Sequence, residues 1–418
     1  MNTIDTIVIG AGHAGLAVSR LLTEAGRDHV VLDRGRIAER WRTERWDSLH
    51  LLTPRWMTRL PGWRYQGEDQ EGFMPADELV GHLEKYAAAG GAPVVLGDEV
   101  RRVSFHRDRY RVETAGVSWQ ARNVVIATGA TGRPNLPEGL DRLDPDVRVM
   151  PTTEYRNPDQ VPAGGVLVVG ASASGTQIAD ELVRAGRRVV LAVGRHTRLP
   201  RSYRGMDIFW WLEQTGRLAR IRDREASARH EPSLQLAGRL RSDPRGTEVD
   251  LATLQGLGVD LVGHLDGVER HQVTFRDDLA ATTTRADEGM HGFLDVVDNY
   301  VEAAGLASEV DAATRPAGVA AAGRPTRLDL RAEGVGTVLL ATGFRPHHPW
   351  LRVPVVGSDG AIQQHRGVTA APGLYVVGQR FQHRRDSTFI DGARFGARDV
   401  VSHLTCGQPA AEVLGEAS

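Results

Sequence analysis

The stretch Thr3-Ile4-Asp5-Thr6-Ile7-Val8-Ile9-Gly10-Ala11-Gly12-His13-Ala14-Gly15 decides the fold. An apolar strand runs into a glycine turn, and a helix is expected from Leu16 to Ala25. Gly26 stops the helix, and Val30-Val31-Leu32 then delivers Asp33. The glycines play separate roles. Gly10 permits the tight turn, Gly12 lets backbone approach a pyrophosphate, and Gly15 lets the helix pack close to the strand. The helix start offers free N–H groups and the positive end of its dipole to phosphate. A carboxylate at Asp33 accepts bonds from ribose hydroxyls. His13 reads as an incidental loop residue.

The same frame returns 160 residues later. Leu167-Val168-Val169 leads into Gly170-Ala171-Ser172-Ala173-Ser174-Gly175, a helix runs to Ala185, Gly186 stops it, and Val190-Leu191-Ala192 follows. Ser172 replaces the middle glycine, but serine is small and its hydroxyl can donate to a phosphate. Val193 stands where the acid should be, and Arg195, Arg198, Arg201 and Arg204 come next. Losing the acid removes repulsion against a 2′-phosphate, and guanidinium groups supply bidentate partners for one. The pattern implies two dinucleotides of different kinds on one chain.

A chain of 418 residues exceeds one ordinary core and suits two or three domains. With 51 basic and 53 acidic residues, 41% apolar and 25% charged, it has the composition of a soluble globular enzyme, and nothing points to nucleic acid or an anionic membrane as a partner. Among the 51 basic residues only Lys85 is lysine, so an arginine counts as a ligand candidate only where a motif positions it. The first strand begins within a few residues of Met1 and no run of about 20 apolar residues occurs, which leads to the expectation of a cytoplasmic protein. Cys406 is the single cysteine, which excludes a Cys-x-x-Cys redox pair.

Between the two units, Trp41 to Pro54 lacks periodicity and carries two tryptophans, suited either to stacking near a flat ring or to satellite packing. A helix from Pro75 to Ala88 is expected, then a β-meander over Val94–Leu96, Glu99–His106, Tyr110–Thr114 and Ser118–Gln120. Val124-Val125-Ile126-Ala127-Thr128-Gly129 closes this block as a buried strand whose small end admits a close approach. Arg133 to Pro137 and the Pro/Asp/Asn-rich span from Pro145 to Pro162 read as linker. The Ala-Thr-Gly strand end recurs at 341–343, and Gly373 to Gly378 with a helix over Phe389–Leu404 returns to the first unit. The fold class is therefore α/β, with two Rossmann-like dinucleotide-binding domains, the second inserted into the first. Ile208-Phe209-Trp210-Trp211-Leu212 reads as core or as a pocket wall.

Taken together, these motifs resemble the flavin-containing monooxygenase and Baeyer–Villiger-like group (class B) of the two-dinucleotide flavoproteins. The likeness spans essentially the whole chain: Gly-Ala-Gly-x-Ala-Gly near the start, Trp-Asp-Ser-Leu at 46–49 with Thr53-Pro54, Ala-Thr-Gly at 127–129, Gly-Ala-Ser-x-Ser-Gly at 170–175, Ala-Thr-Gly-Phe-Arg-Pro at 341–346, and Pro-Gly-Leu-Tyr-Val-Val-Gly at 372–378. The resemblance implies an FAD-binding domain over 1–160, an NADPH-binding domain with a helical insertion over 161–335, and a return to the FAD domain over 336–418. It puts Gly10, Gly12, Gly15, Asp33, Arg34, Trp41, Ala127, Thr128, Gly129, Gly378 and Asp391 on FAD. Ser172, Ser174, Gly175, Arg195 and Arg204 fall on NADPH. The family fingerprint in the linker is lost, with Pro145, Val147 and Pro151 at its phenylalanine, glycine and histidine positions and only Tyr155 kept.

The resemblance further implies O2 and a small organic substrate as partners and no metal. Reduced flavin would form a C4a-(hydro)peroxide that oxygenates N, S or carbon or attacks a ketone, in secondary metabolism among other settings. Asp47, Thr53 and Gln379 are the candidates for polar groups near the reacting ring. An FAD/NADPH dehydrogenase or oxidase without oxygen insertion is the rival reading, and a non-catalytic flavoprotein redox sensor is a third. Neither the substrate nor the oligomeric state is readable from these residues.

Overall fold

A mixed sheet and a parallel sheet, each carrying one glycine turn, organise the chain. The computed structural model describes residues 2–221, 234–235, 249–316, 318–321 and 323–406. In the first sheet the strand order is Val94–Leu96, His29–Asp33, Asn2–Ile9, Ser118–Ile126, Arg109–Thr114 and Val100–His106. Ser118–Ile126 is one continuous strand that forks. Its first half pairs antiparallel with Arg109–Thr114, and its second half pairs in parallel with the returning strand Leu374–Val376. The expected meander therefore has three strands. Val94–Leu96 leaves it to pair with His29–Asp33 at the far edge.

The second sheet is wholly parallel, in the order Arg148–Pro151, Val335–Leu340, Gly165–Val169, Val189–Ala192 and Asp260–Val262. Here the linker reading of 145–162 needs correction, because Arg148–Pro151 is an edge strand. Proline is tolerated at a sheet edge, where its missing N–H breaks no ladder bond. The expected boundaries at 160/161 and 335/336 accordingly fall inside this sheet, whose strands run from 148 to 340. Where the chain passes between the halves, Arg133–Pro134 going out pairs antiparallel with Phe344–Arg345 coming back.

Helix placement follows the apolar stripes. His13–Glu24 buries Leu16, Ala17, Val18 and Leu22, and the helix Ile390–Cys406 packs beside it in the same core. Ala173–Arg184 buries Ile178, Ala179 and Leu182 in the second core. The helix Ile208–Gln214 is capped by the Asp207 carboxylate, which accepts from the Phe209 N–H at 2.8 Å. Phe209 and Trp211 are core, packed with Phe293, Leu294 and Val297 of the 25-residue helix Leu279–Ala303. No helix among the described residues is long and apolar enough to cross a membrane.

Candidate active site between two glycine turns

The two turns are built alike in backbone geometry. Gly10 has φ +113° and Gly170 φ +105°, and a Cβ on either would meet the carbonyl oxygen of Ala127 or Ala341 at 2.6 or 2.5 Å. A Cβ on Gly15 would sit 1.9 Å from the Gly10 oxygen, and one on Gly175 1.8 Å from the Gly170 oxygen. These glycines, with the small ends of the Ala-Thr-Gly strands, let strand, turn and helix close to contact. Gly12 differs, since a Cβ there meets nothing within 4 Å. Its backbone faces open space.

That space is a cavity of about 2380 Å³ lined from Gly10 and Gly12 through to Gly170, Ser172 and Ser174. A single drug-sized ligand occupies a site of about 300–1,000 Å³, so the cavity has room for more than one. Both helices start without a side-chain cap: Gly12 and Ser172 hold extended backbone, and neither the glycine nor the Ser172 hydroxyl closes the first turn. Their free N–H groups fit phosphate, and the uncapped turns with the unfilled space at Gly12 fit a dinucleotide at each end.

The acid of the first unit is braced. Asp33 accepts from the backbone N–H of Ala11 at 2.7 Å and of Gly35 at 2.9 Å, which fixes its carboxylate at the cavity wall. Arg34 lines the wall and pairs with Glu44 at 3.0 Å. Trp41 also lines it, packs against the cores of both halves, and carries the Arg45 guanidinium 5.3 Å from its ring centre. Ala127, Thr128, Gly129, Gly378, Gln379 and Arg195 complete the expected residues found at the cavity.

Six expected residues are absent from the wall: Gly15 and Gly175, which lie where helix meets turn, and four that stand elsewhere. Asp47 is tied to the linker, accepting from the Asn157 amide at 2.7 Å while its own N–H donates to the Arg156 oxygen at 2.8 Å. Next to it the Ser48 hydroxyl donates to Glu181 at 2.9 Å, and the fully buried Tyr155 hydroxyl donates to the other Glu181 oxygen at 2.7 Å. Trp-Asp-Ser-Leu is thus a clasp joining the halves, with Trp46 and Leu49 buried in the second core. Burial pushes the Glu181 carboxyl above the usual carboxylate range. Thr53 is absent from the wall that Leu51 and Leu52 form. Asp391, 2% exposed, is held by Arg59 and Arg394 away from the cavity. Arg204 bonds Asp298 at 2.7 Å on the long helix.

Arg198 and Arg201 are likewise structural. Arg198, 3% exposed, spans Asp250 at 2.6 Å and Asp287 at 2.5 Å, while Arg201 binds Asp207 and the Leu52 oxygen beneath Phe73. Of the four arginines after Val193, only Arg195 lines the cavity. The sequence motifs did not single out Asp98 and His264, which line it from just beyond the strands paired with His29–Asp33 and Val189–Ala192. Extending the internal repeat by one more strand would have found both.

His13 is more than a loop filler. It lines the cavity, and its Nε2 is shielded from solvent without a partner. Burial holds its imidazole far below the ordinary 6.5, at about 4, against the opposing bond to the Thr388 backbone. The unfolded chain therefore takes up a proton below pH 6.5 that the folded one refuses until about 4, so stability falls as pH drops through that window. The ring keeps some exposure to the cavity, and the expected loss is about 2 kcal/mol. Urea unfolding across the window checks it: His13→Asn should flatten the decline, and an unchanged pH slope would assign the loss to other groups.

Among known proteins, the family described as pyridine nucleotide-disulphide oxidoreductase matches residues 7–212. A CzcO-like oxidoreductase of Geobacillus kaustophilus is 30% identical over 407 residues, covering 96% of this chain and 99% of its own. The rice indole-3-pyruvate monooxygenase YUCCA1 is 31% identical over 211 residues, covering 49% of this chain and 51% of its own. The solved flavin-containing monooxygenase of Stenotrophomonas maltophilia superposes with a TM-score of 0.66 at 20% identity over 97% of this chain and 99% of that one. A single cysteine, the exposed Cys406, separates this chain from the dithiol chemistry in the first description. The chain belongs to the family of CzcO-like oxidoreductases.

Proposed function

We propose that the protein is an FAD-dependent, NADPH-using monooxygenase that inserts an oxygen atom from O2 into a small organic substrate in the cytoplasm. The observation that carries this reading is the single continuous cavity joining the two glycine turns. A ring system held at one turn and a reductant held at the other share one space. When bound, the two cofactors supply hydride transfer and oxygen activation. The chain's own residues do the rest. The turns at Gly12 and Ser172 bind phosphate, Asp33 orients a ribose, and Arg195 favours a phosphorylated one. Leu51 and Leu52 give the wall an apolar surface that excludes water, and Gln379, beside Gly378, offers a polar group at that wall. The clasp around Glu181 keeps the two halves in register.

A hydride-only dehydrogenase or oxidase is the second reading, favoured by the altered linker in which Pro151 ends an edge strand. Isotopically labelled O2, supplied with NADPH and a panel of amines, thioethers and ketones, separates the two. Label entering product in step with NADPH consumption is the expected result. Peroxide formed in step with NADPH, with no label in any product, would overturn oxygen insertion.

A further inference from the structure

The internal repeat extends to the third parallel strand of each half, and the charge at its end reverses. In the first half His29–Asp33 pairs with Val94–Leu96, and the cavity there is lined by Asp33, Asp98 and Glu99. In the second half Val189–Ala192 pairs with Asp260–Val262, and the corresponding wall carries Arg195 and His264. Arg34, which follows the first acid in the sequence, is paired with Glu44, and its counterpart in the second half is Gly194. A wall of acids suits a sugar with free hydroxyls, whereas a wall of nitrogen donors suits a sugar that carries phosphate.

His264 takes the space that Gly194 leaves. A Cβ at position 194 would lie 2.7 Å from the His264 Nδ1, so glycine there leaves room for the ring in this position. The turn that presents it is braced on both sides. The His264 N–H donates to the Asp278 carboxylate at 2.9 Å, and its carbonyl accepts from the Arg276 N–H at 2.8 Å. The ring itself is exposed to the cavity.

Resting on the NADPH reading above, we propose that His264 is a second specificity-determining residue, which with Arg195 grips the 2′-phosphate of the nicotinamide nucleotide. The phosphate carries close to two negative charges and three acceptor oxygens, more than one guanidinium fork satisfies. Arg195 supplies the fork, and the imidazole supplies a further donor from the neighbouring strand. No covalent step is involved.

Titration calorimetry of the FAD-loaded protein with 2′,5′-ADP and with 5′-AMP tests this without turnover. The wild type should prefer 2′,5′-ADP, and Arg195→Ala should lose most of that preference. His264→Ala should weaken 2′,5′-ADP about tenfold, the effect of one lost charge-assisted bond, and leave 5′-AMP unchanged. His264→Lys, which puts an N–H donor back at that position, should keep the preference. Undiminished 2′,5′-ADP binding by His264→Ala overturns the role of His264 alone, as does an equal weakening of both ligands or a lysine variant no better than alanine. A wild type indifferent to the 2′-phosphate overturns the NADPH reading itself.

Discussion

A Gly12→Val protein is expected to fold and to emerge without flavin colour. Position 12 has extended backbone that valine accepts, and a Cβ there touches no protein atom, so the fold bears no clash. The branched side chain instead fills the space where the first turn meets the cavity, at the start of an uncapped helix. The cost falls on the ligand, at about 3 kcal/mol or more, roughly a hundredfold in FAD affinity. Gly15→Ala provides the contrast: its Cβ would lie 1.9 Å from the Gly10 oxygen, so the turn itself must break. That variant should lose both flavin and thermal stability. The assignment fails if Gly12→Val retains wild-type flavin absorbance after dialysis.

Replacing Arg198 with alanine should lower unfolding free energy by about 3 kcal/mol and leave nucleotide affinity intact. The guanidinium is buried and joins Asp250, the cap of the helix Leu251–Gly256, to Asp287 on the long helix. Its removal strands two partly buried carboxylates beside one another. Lysine should not rescue, because a point charge cannot span two carboxylates as a planar fork does. Arg198→Met with Asp250→Asn and Asp287→Asn should recover most of the loss, since asparagine still caps a helix and no charge is left unpaired. Urea midpoints read the stability, and calorimetry with NADPH reads the site. A stable Arg198→Ala protein with weakened NADPH binding would return this arginine to the phosphate.

Legibility followed the sequence range of each contact. Both turns and their helices were readable because a strand, three small residues at fixed spacing and a helix stop all lie within about 25 positions. Asp33 was readable for the same reason. The misplaced residues depend on distant partners. Asp391 meets Arg59 across 332 positions, Asp47 meets Asn157 across 110, and Arg204 meets Asp298 across 94. With arginine serving nearly every basic position, composition could not separate the one at the cavity from the three that knit helices and strands together. Arg148–Pro151 escaped because its four residues become a strand only beside Val335–Leu340.

The ribbon of Arg133–Pro134 against Phe344–Arg345 has an evolutionary corollary. Outgoing and incoming chain lie side by side, so everything between them forms a cassette whose ends are already neighbours. Such a segment can be exchanged between related genes when its replacement matches this junction and the clasp at Glu181. Whatever the inserted unit recognises can therefore drift or be traded while the outer half stays as it was.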